Sequence, residues 1–253
     1  MLGRWFTGLM VVATAFAQGP PGATPSKPQP PNARRAAPFD PSGYWVAQIT
    51  EDWRQRIQSA KKGDVGGIPL NANGRRVANA RDPERDAASG DVCKAYGVGG
   101  ILRMPGRLHI TWEDDNLLKI ESDAGTQTRL LSFTSPRGQA GDWQGISTVT
   151  WDRPRGAISG FMLGSPVGAG GSMKVVTTQA KPGYLSRNGA PYGASAIFTE
   201  YYDLFQIPGG DALLVVSVEV TDPEFLSGPY WYSVHFKKQA DATGWAPRPC
   251  TSK

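Results

Sequence analysis

Residues 107–133 read RLHITWEDDNLLKIESDAGTQTRLLSF, and their pattern decides the fold. Arg107–Glu113, Leu117–Ser122 and Thr126–Phe133 are rich in β-branched, aromatic and aliphatic residues, and they alternate with a period near two. Between them stand Asp115-Asn116 and Asp123-Ala124-Gly125, residues that accept the backbone angles of tight turns. Alternation puts Leu108, Ile110 and Trp112 on one face of the first strand and His109, Thr111 and Glu113 on the other. The stretch is a three-strand antiparallel meander with one face available to a core.

The same texture recurs at Tyr44–Thr50, Gly145–Asp152, Met173–Gln179, Ala196–Ile207, Ala212–Thr221 and Tyr230–Lys238. Turn signals separate these runs at Arg155-Gly156, Asn188-Gly189, Pro208-Gly209-Gly210 and Asp222-Pro223. Asn188-Gly189 suits a two-residue type I′ hairpin, since both residues tolerate positive φ. Helix signals are confined to the first third. Thr50 is placed to cap Glu51–Ala60, with Trp53 and Ile57 stacked at i,i+4, and a second short helix starts at Asp82 with Pro83 in its first position. Such helices would cover an edge or one mouth of the sheet. About nine strands in succession predict an all-β fold, a single antiparallel barrel whose closure removes exposed edges; a β-sandwich is the alternative.

Outside this body the chain changes character. Arg4 precedes an apolar run from Trp5 to Ala17 that ends in Ala15-Phe16-Ala17, the form of a cleavable signal peptide over residues 1–17. The run is short of the roughly 20 residues of a membrane-crossing helix, and no other stretch reaches that length. A soluble periplasmic or secreted protein is expected, with no lipid anchor because no cysteine follows the cleavage site. Residues 18–41 carry eight of the 21 prolines and read as a disordered linker; residues 42–253 form one domain.

The net charge is +5, but Arg4, Lys27, Arg34 and Arg35 all precede the domain, so the chain beyond Arg35 carries +1. A nearly neutral body argues against nucleic acid as a partner. Both cysteines, Cys93 and Cys250, lie in the domain, and an oxidising compartment favours pairing them. Closing so long a loop would restrict the unfolded chain by about 4 to 5 kcal/mol.

Several segments carry a family resemblance: Gly43-Tyr44-Trp45 with the following ITEDWR, PLNANGRRVANARDPERDAASGDVCKAYG, PGRLHITWEDDNLLKIESDAGTQTR, MKVVTTQAKPGYLSRNGAPYG, TDPEFL, HFKK, and a terminal Trp-x-Pro-x-Pro-Cys. Together they resemble a family of uncharacterised bacterial secreted proteins with lipocalin-like β-barrels. The resemblance implies a fold and an export route and no reaction. Lipocalin-like barrels elsewhere mostly bind apolar molecules, and a minority are isomerases, hydratases or cyclases.

Signatures of common enzyme classes are missing. No Walker-A loop, Rossmann glycine motif, H-E-x-x-H or G-x-S-x-G occurs; Gly160-Phe161-Met162-Leu163-Gly164 has Met where a nucleophilic serine would stand. Gly168-Ala169-Gly170-Gly171 lacks the lysine of a phosphate cradle and reads as a loop. With two histidines and paired cysteines, no metal site and no cofactor are expected.

The remaining candidates are polar groups inside apolar strands. His109, and His235 on a face shared with Trp231 and Ser233, either line a pocket or face water. Gln127 and Arg129 alternate into a strand and are placed to donate to a carboxylate or carbonyl. If Glu200 and Tyr202 face an apolar interior, desolvation would raise the carboxyl and make it a general acid or base; if they face outward, Glu200 is a surface charge. Glu200, Tyr202, His109 and His235 are thus the candidate catalytic groups, and Arg129, Gln127, Trp112 and Trp231 the candidate ligand contacts. The expected function is binding of a small apolar or aromatic molecule in the barrel mouth. The alternative is a cofactor-independent hydratase, isomerase or lyase, and a filled barrel would point instead to a structural role.

Overall fold

A computed structural model describes residues 32–57, 61, 63–152 and 171–252. Nine strands form the body: β1 (Gly43–Gln48), β2 (Arg107–Asp114), β3 (Leu117–Ser122), β4 (Gln127–Ser132), β5 (Ile146–Asp152), β6 (Ser172–Thr178), β7 (Ile197–Gln206), β8 (Ala212–Thr221) and β9 (Tyr230–Gln239). They lie in the order β4-β3-β2-β1-β9-β8-β7-β6-β5, and β4 pairs with β5 to close the barrel. The barrel expectation holds and the sandwich falls away. Every neighbour is antiparallel except at the closing seam, where Leu131 opposes Ser147 and Ser132 opposes Thr148 in parallel. An odd number of strands cannot alternate in direction all the way round, so one parallel pair is required.

Alternation fills the interior. Trp45, Ile110, Leu118, Leu131, Phe198 and Phe236 are fully buried, while the intervening residues face outward. Each buried side chain of this size contributes roughly 1.5–3 kcal/mol of hydrophobic stabilisation.

One end of the barrel is covered by the chain between β1 and β2. It contains α1 (Trp53–Ile57), α2 (Ala72–Asn79) and α3 (Pro83–Ala88). Ile68, Leu70, Val98, Ile101 and Leu102 of this segment are buried, and Leu70 bridges to Leu226 beyond β8. Helix α3 starts as expected, with the Asp82 carboxylate accepting from the Glu84 and Arg85 amides.

The expected Glu51–Ala60 helix is shorter at its start, because Asp52 adopts φ +48° and the helix begins only at Trp53. Thr50 does not cap it; its hydroxyl donates to the Glu51 carboxylate. Trp53 and Ile57 are exposed, and the buried side chain is Arg56, held by the Arg103 carbonyl at 3.0 Å and the Glu51 carboxylate. Residues 58–60 lie outside the described residues.

Sequence pattern missed α2, which contains Gly74 and two asparagines, poor helix formers. Asn71 caps it through the Gly74 amide at 2.9 Å, and a Cβ on Gly74 would strike the Phe225 carbonyl, so packing against the β8–β9 connection decides both the residue and the helix.

The Asn188-Gly189 turn also differs. Leu185 donates to the Ala190 carbonyl, so the loop holds four residues, and only Gly189 has positive φ. Asn188 instead points inward, donating to the Asp64 carbonyl at 2.8 Å.

Residues 32–41, read as linker, pack across the other end of the barrel. Ala33 is buried, its amide bonds to Asn116 and its carbonyl accepts from the Trp151 indole at 2.8 Å. Phe39, Trp151, Phe133 and Trp112 form a chain of aromatic contacts there, with centroids 5.0–5.8 Å apart. Apolar surface at an open barrel end is a stronger attraction than the composition of the segment suggested. The apolar leader, the Arg155-Gly156 turn and the motif over residues 160–164 lie outside the described residues.

Cys93 and Cys250 form the expected disulfide. The C-terminal segment leaves β9, sets Trp245 edge-on against Tyr44 and His109, and pairs Arg248–Pro249 in parallel with Ala124–Gly125. Gly125 has φ +74° and lies against the Tyr96 ring, a site where a larger residue would meet both strain and collision. Among the described residues no helix is long and apolar enough to cross a membrane.

Candidate functional site

The predicted polar residues separate into two environments. Alternation along β7 turns Glu200 and Tyr202 inward, and alternation along β4 does the same for Arg129. The Arg129 guanidinium reaches over β5 and β6 and grips Glu200 with both arms, at 3.0 and 2.9 Å. It also donates to Thr177, whose hydroxyl meets that of Ser147 at 2.7 Å, and the Tyr202 hydroxyl donates to Glu200 at 3.3 Å. The side chains of Arg129 and Glu200 are 3% and 0% exposed.

Burial disfavours the guanidinium charge, but the adjoining carboxylate outweighs it and holds the Arg129 proton more firmly than usual. Burial, with Glu200 beside it, pushes the Tyr202 phenol well up. Both oxygens of Glu200 are occupied, and no cleft described below is lined by Glu200, Arg129 or Tyr202.

The histidines lie on the outer wall because β2 and β9 send their odd-numbered residues outward. His109 stacks on Tyr44 at 4.1 Å and bonds to Glu121 at 3.2 Å. His235 bonds to Glu51 at 3.1 Å and shares an open cleft of about 360 Å3 with Trp231, Ser233 and Asp52. Neither histidine joins Glu200. Gln127 bonds to the Gly125 carbonyl and to Gln144 beside the disulfide. Trp112 stacks on Phe133 and donates to Asp40, so it belongs to the aromatic end cluster.

A cleft of about 600 Å3 lies between the barrel wall and the C-terminal segment. One wall is Val46, Ala47 and Ile49 at the end of β1, and its neighbour is Met104-Pro105-Gly106 before β2. The opposite wall is Gly244, Ala246, Arg248, Pro249 and Thr251. That second wall is held by the Arg248–Pro249 pairing, by the Thr126 hydroxyl donating to the Arg248 carbonyl at 3.1 Å, and by the Cys93–Cys250 bond.

Arg107, Arg187 and Arg248 supply the cations of the cleft. Its carboxylate, Asp123, accepts from the Arg107 amide at 2.7 Å and so is committed to the backbone. The volume falls in the range of small-molecule sites, and apolar walls with a few convergent charges are the usual lining of such sites. Sequence pattern did not single out these three arginines. The one available signal was Cys250, which showed that the C-terminal segment is tied to the body.

No protein-family model, curated protein or solved structure matches the chain. Among the described residues no group of three or more metal-binding side chains converges.

Proposed function

We propose that the protein binds a small, partly apolar anion in the cleft of about 600 Å3 between the barrel wall and the C-terminal segment. The observation that carries this reading is the combination of apolar walls with Arg107, Arg187 and Arg248 around a space of ligand size. An arginine fork matches a carboxylate or sulfonate in geometry as well as charge. The site differs from the expected barrel mouth, since one mouth is covered by residues 32–41 and the other by the chain around α1 to α3. The reading favours a binding module over a hydratase, isomerase or lyase, because the Glu200 oxygens are already engaged by Arg129 and Tyr202. The disulfide supports work outside the cytoplasm, in the periplasm or beyond it.

Calorimetric titration with dodecanoate and dodecanol tests the proposal. Dodecanoate should bind about tenfold or more tightly than the alcohol, since a charge-assisted hydrogen bond contributes about 1.5–3 kcal/mol. Arg248→Gln, at an exposed position, should remove most of that preference. Equal affinity for acid and alcohol in the folded, oxidised protein would sink the assignment.

A further inference from the structure

Trp231, Ser233 and His235 share no cleft with the three arginines, and the anion reading leaves them without a role. They occupy alternate positions on the outer wall of β9, so indole, hydroxyl and imidazole form a row with a step of about 7 Å. Trp231 is 55% exposed, and the three line the open cleft of about 360 Å3 together with Glu51, Asp52 and Gly66. Glu219 of β8 lies directly opposite Trp231 and shares its outward face.

Two buried arginines fix the carboxylates of this cleft. Arg103 donates to Asp52 at 3.0 Å and to the Tyr230 hydroxyl, and its guanidinium lies over the Tyr232 ring. Arg56 donates to one oxygen of Glu51, whose other oxygen meets His235 Nδ1 at 3.1 Å. Asp52 is held at φ +48°, a conformation uncommon for a residue other than glycine. These bonds leave particular groups open. Among the described residues, Oδ1 of Asp52, the Glu219 carboxylate, Nε2 of His235 and the Trp231 indole N–H meet no hydrogen-bond partner. With Nδ1 donating to Glu51, neutral His235 presents Nε2 as an acceptor. Ser233 and Ser217 share one bond at 3.2 Å, which leaves one hydroxyl proton to donate.

Donors and acceptors together around one exposed ring select the ligand. A cation needs acceptors alone and an anion donors alone, whereas every hydroxyl of a sugar both donates and accepts. A pyranose with equatorial hydroxyls lays a flat face of C–H groups on an indole and turns its hydroxyls to the groups at the rim. We infer that this cleft binds a neutral glycan of gluco-configured pyranoses, stacked on Trp231 and hydrogen-bonded to Glu219, Asp52, Ser233 and His235. The site is separate from the anion cleft and does not rest on that reading.

Calorimetric titration with cellohexaose and with fully N-acetylated chitohexaose tests this. At least one of the two should bind with a Kd of about 1 mM or tighter. Trp231→Ala should weaken that binding about tenfold and Glu219→Gln severalfold, with the far-ultraviolet circular dichroism of both variants unchanged because both side chains lie outside the core. Failure of both sugars to bind the folded, oxidised protein overturns the inference. Sugar affinity indifferent to Trp231→Ala overturns it as well, since the glycan would then lie elsewhere. Choline bound through Trp231 while both sugars fail makes the cleft a cation site instead.

Discussion

Arg129 and Arg248 carry the same guanidinium into opposite surroundings. Arg129 is buried in the barrel, spans two strands and spends both arms on Glu200. Arg248 stands exposed on a C-terminal strap and faces a cleft. In the first place the charge is tolerated only because a carboxylate accompanies it; in the second, solvent sustains it and leaves it open to a partner. Arg129 and Glu200, which stand out in apolar strands, therefore organise the interior, whereas Arg248 sits in the tail, where a charge needs no explanation and attracts no notice.

The largest effect should come from breaking the interior pair. Arg129→Met leaves the Glu200 carboxylate buried without its cation and should cost about 3–5 kcal/mol in urea unfolding, while the Arg129→Met/Glu200→Met double variant should recover most of that loss. A single variant as stable as the parent would show that the two arginines differ less than their burial implies.

Next is the strap. Replacing both cysteines by alanine should cost about 2–5 kcal/mol, and more of the damage should fall on the cleft than on the barrel. Far-ultraviolet circular dichroism of the variant below its unfolding transition should keep its strand signal while dodecanoate affinity drops severalfold, because Gly244, Ala246, Arg248, Pro249 and Thr251 line the cleft and are exposed, outside the buried core. Unchanged affinity would locate the ligand elsewhere.

The smallest effect at neutral pH, where it is silent, is alkaline. Burial raises the phenols of Tyr192, Tyr202 and Tyr232 above their ordinary value. Their contribution to stability is complete below the unfolded pKa of about 10 and is lost as pH rises from there through the folded values. Urea midpoints should be level from about pH 8 to 10 and then fall, with tyrosinate absorbance in the native protein delayed relative to the unfolded chain. Arginines do not titrate in this range, so the protein still folded at about pH 10.5 should retain its anion affinity. A loss of affinity preceding the loss of fold would mean that the cleft relies on a titrating group.

Much of the barrel was legible because alternation is local. Ile110 and Leu118 announce an inward face to anyone counting by two, and the turn at Asp123-Ala124-Gly125 is written in its residues. Helix α2 was not legible, since Gly74 and Asn73 look like breakers until the Phe225 carbonyl is seen to demand a glycine. The packing of residues 32–41 was hidden for a similar reason: a proline-rich composition describes a chain with nothing to lie on, and here Trp151 and Phe133 provide a surface. Charged positions in strands β4 and β7 were visible as anomalies, but periodicity gives only a face and not a partner two strands away.

Sequence by itself determined the all-β class, a count of about nine strands, and the pairing of Cys93 with Cys250, because side-chain periodicity and covalent options are properties of short segments and residue types. Tertiary structure alone decided that Glu200 answers Arg129, that the barrel closes through one parallel seam, and that Arg107, Arg187 and Arg248 surround one cleft. Those three arginines come from different stretches of chain and meet only because the start of β2, the loop between Leu185 and Ala190 and the disulfide-tied tail are brought together in space.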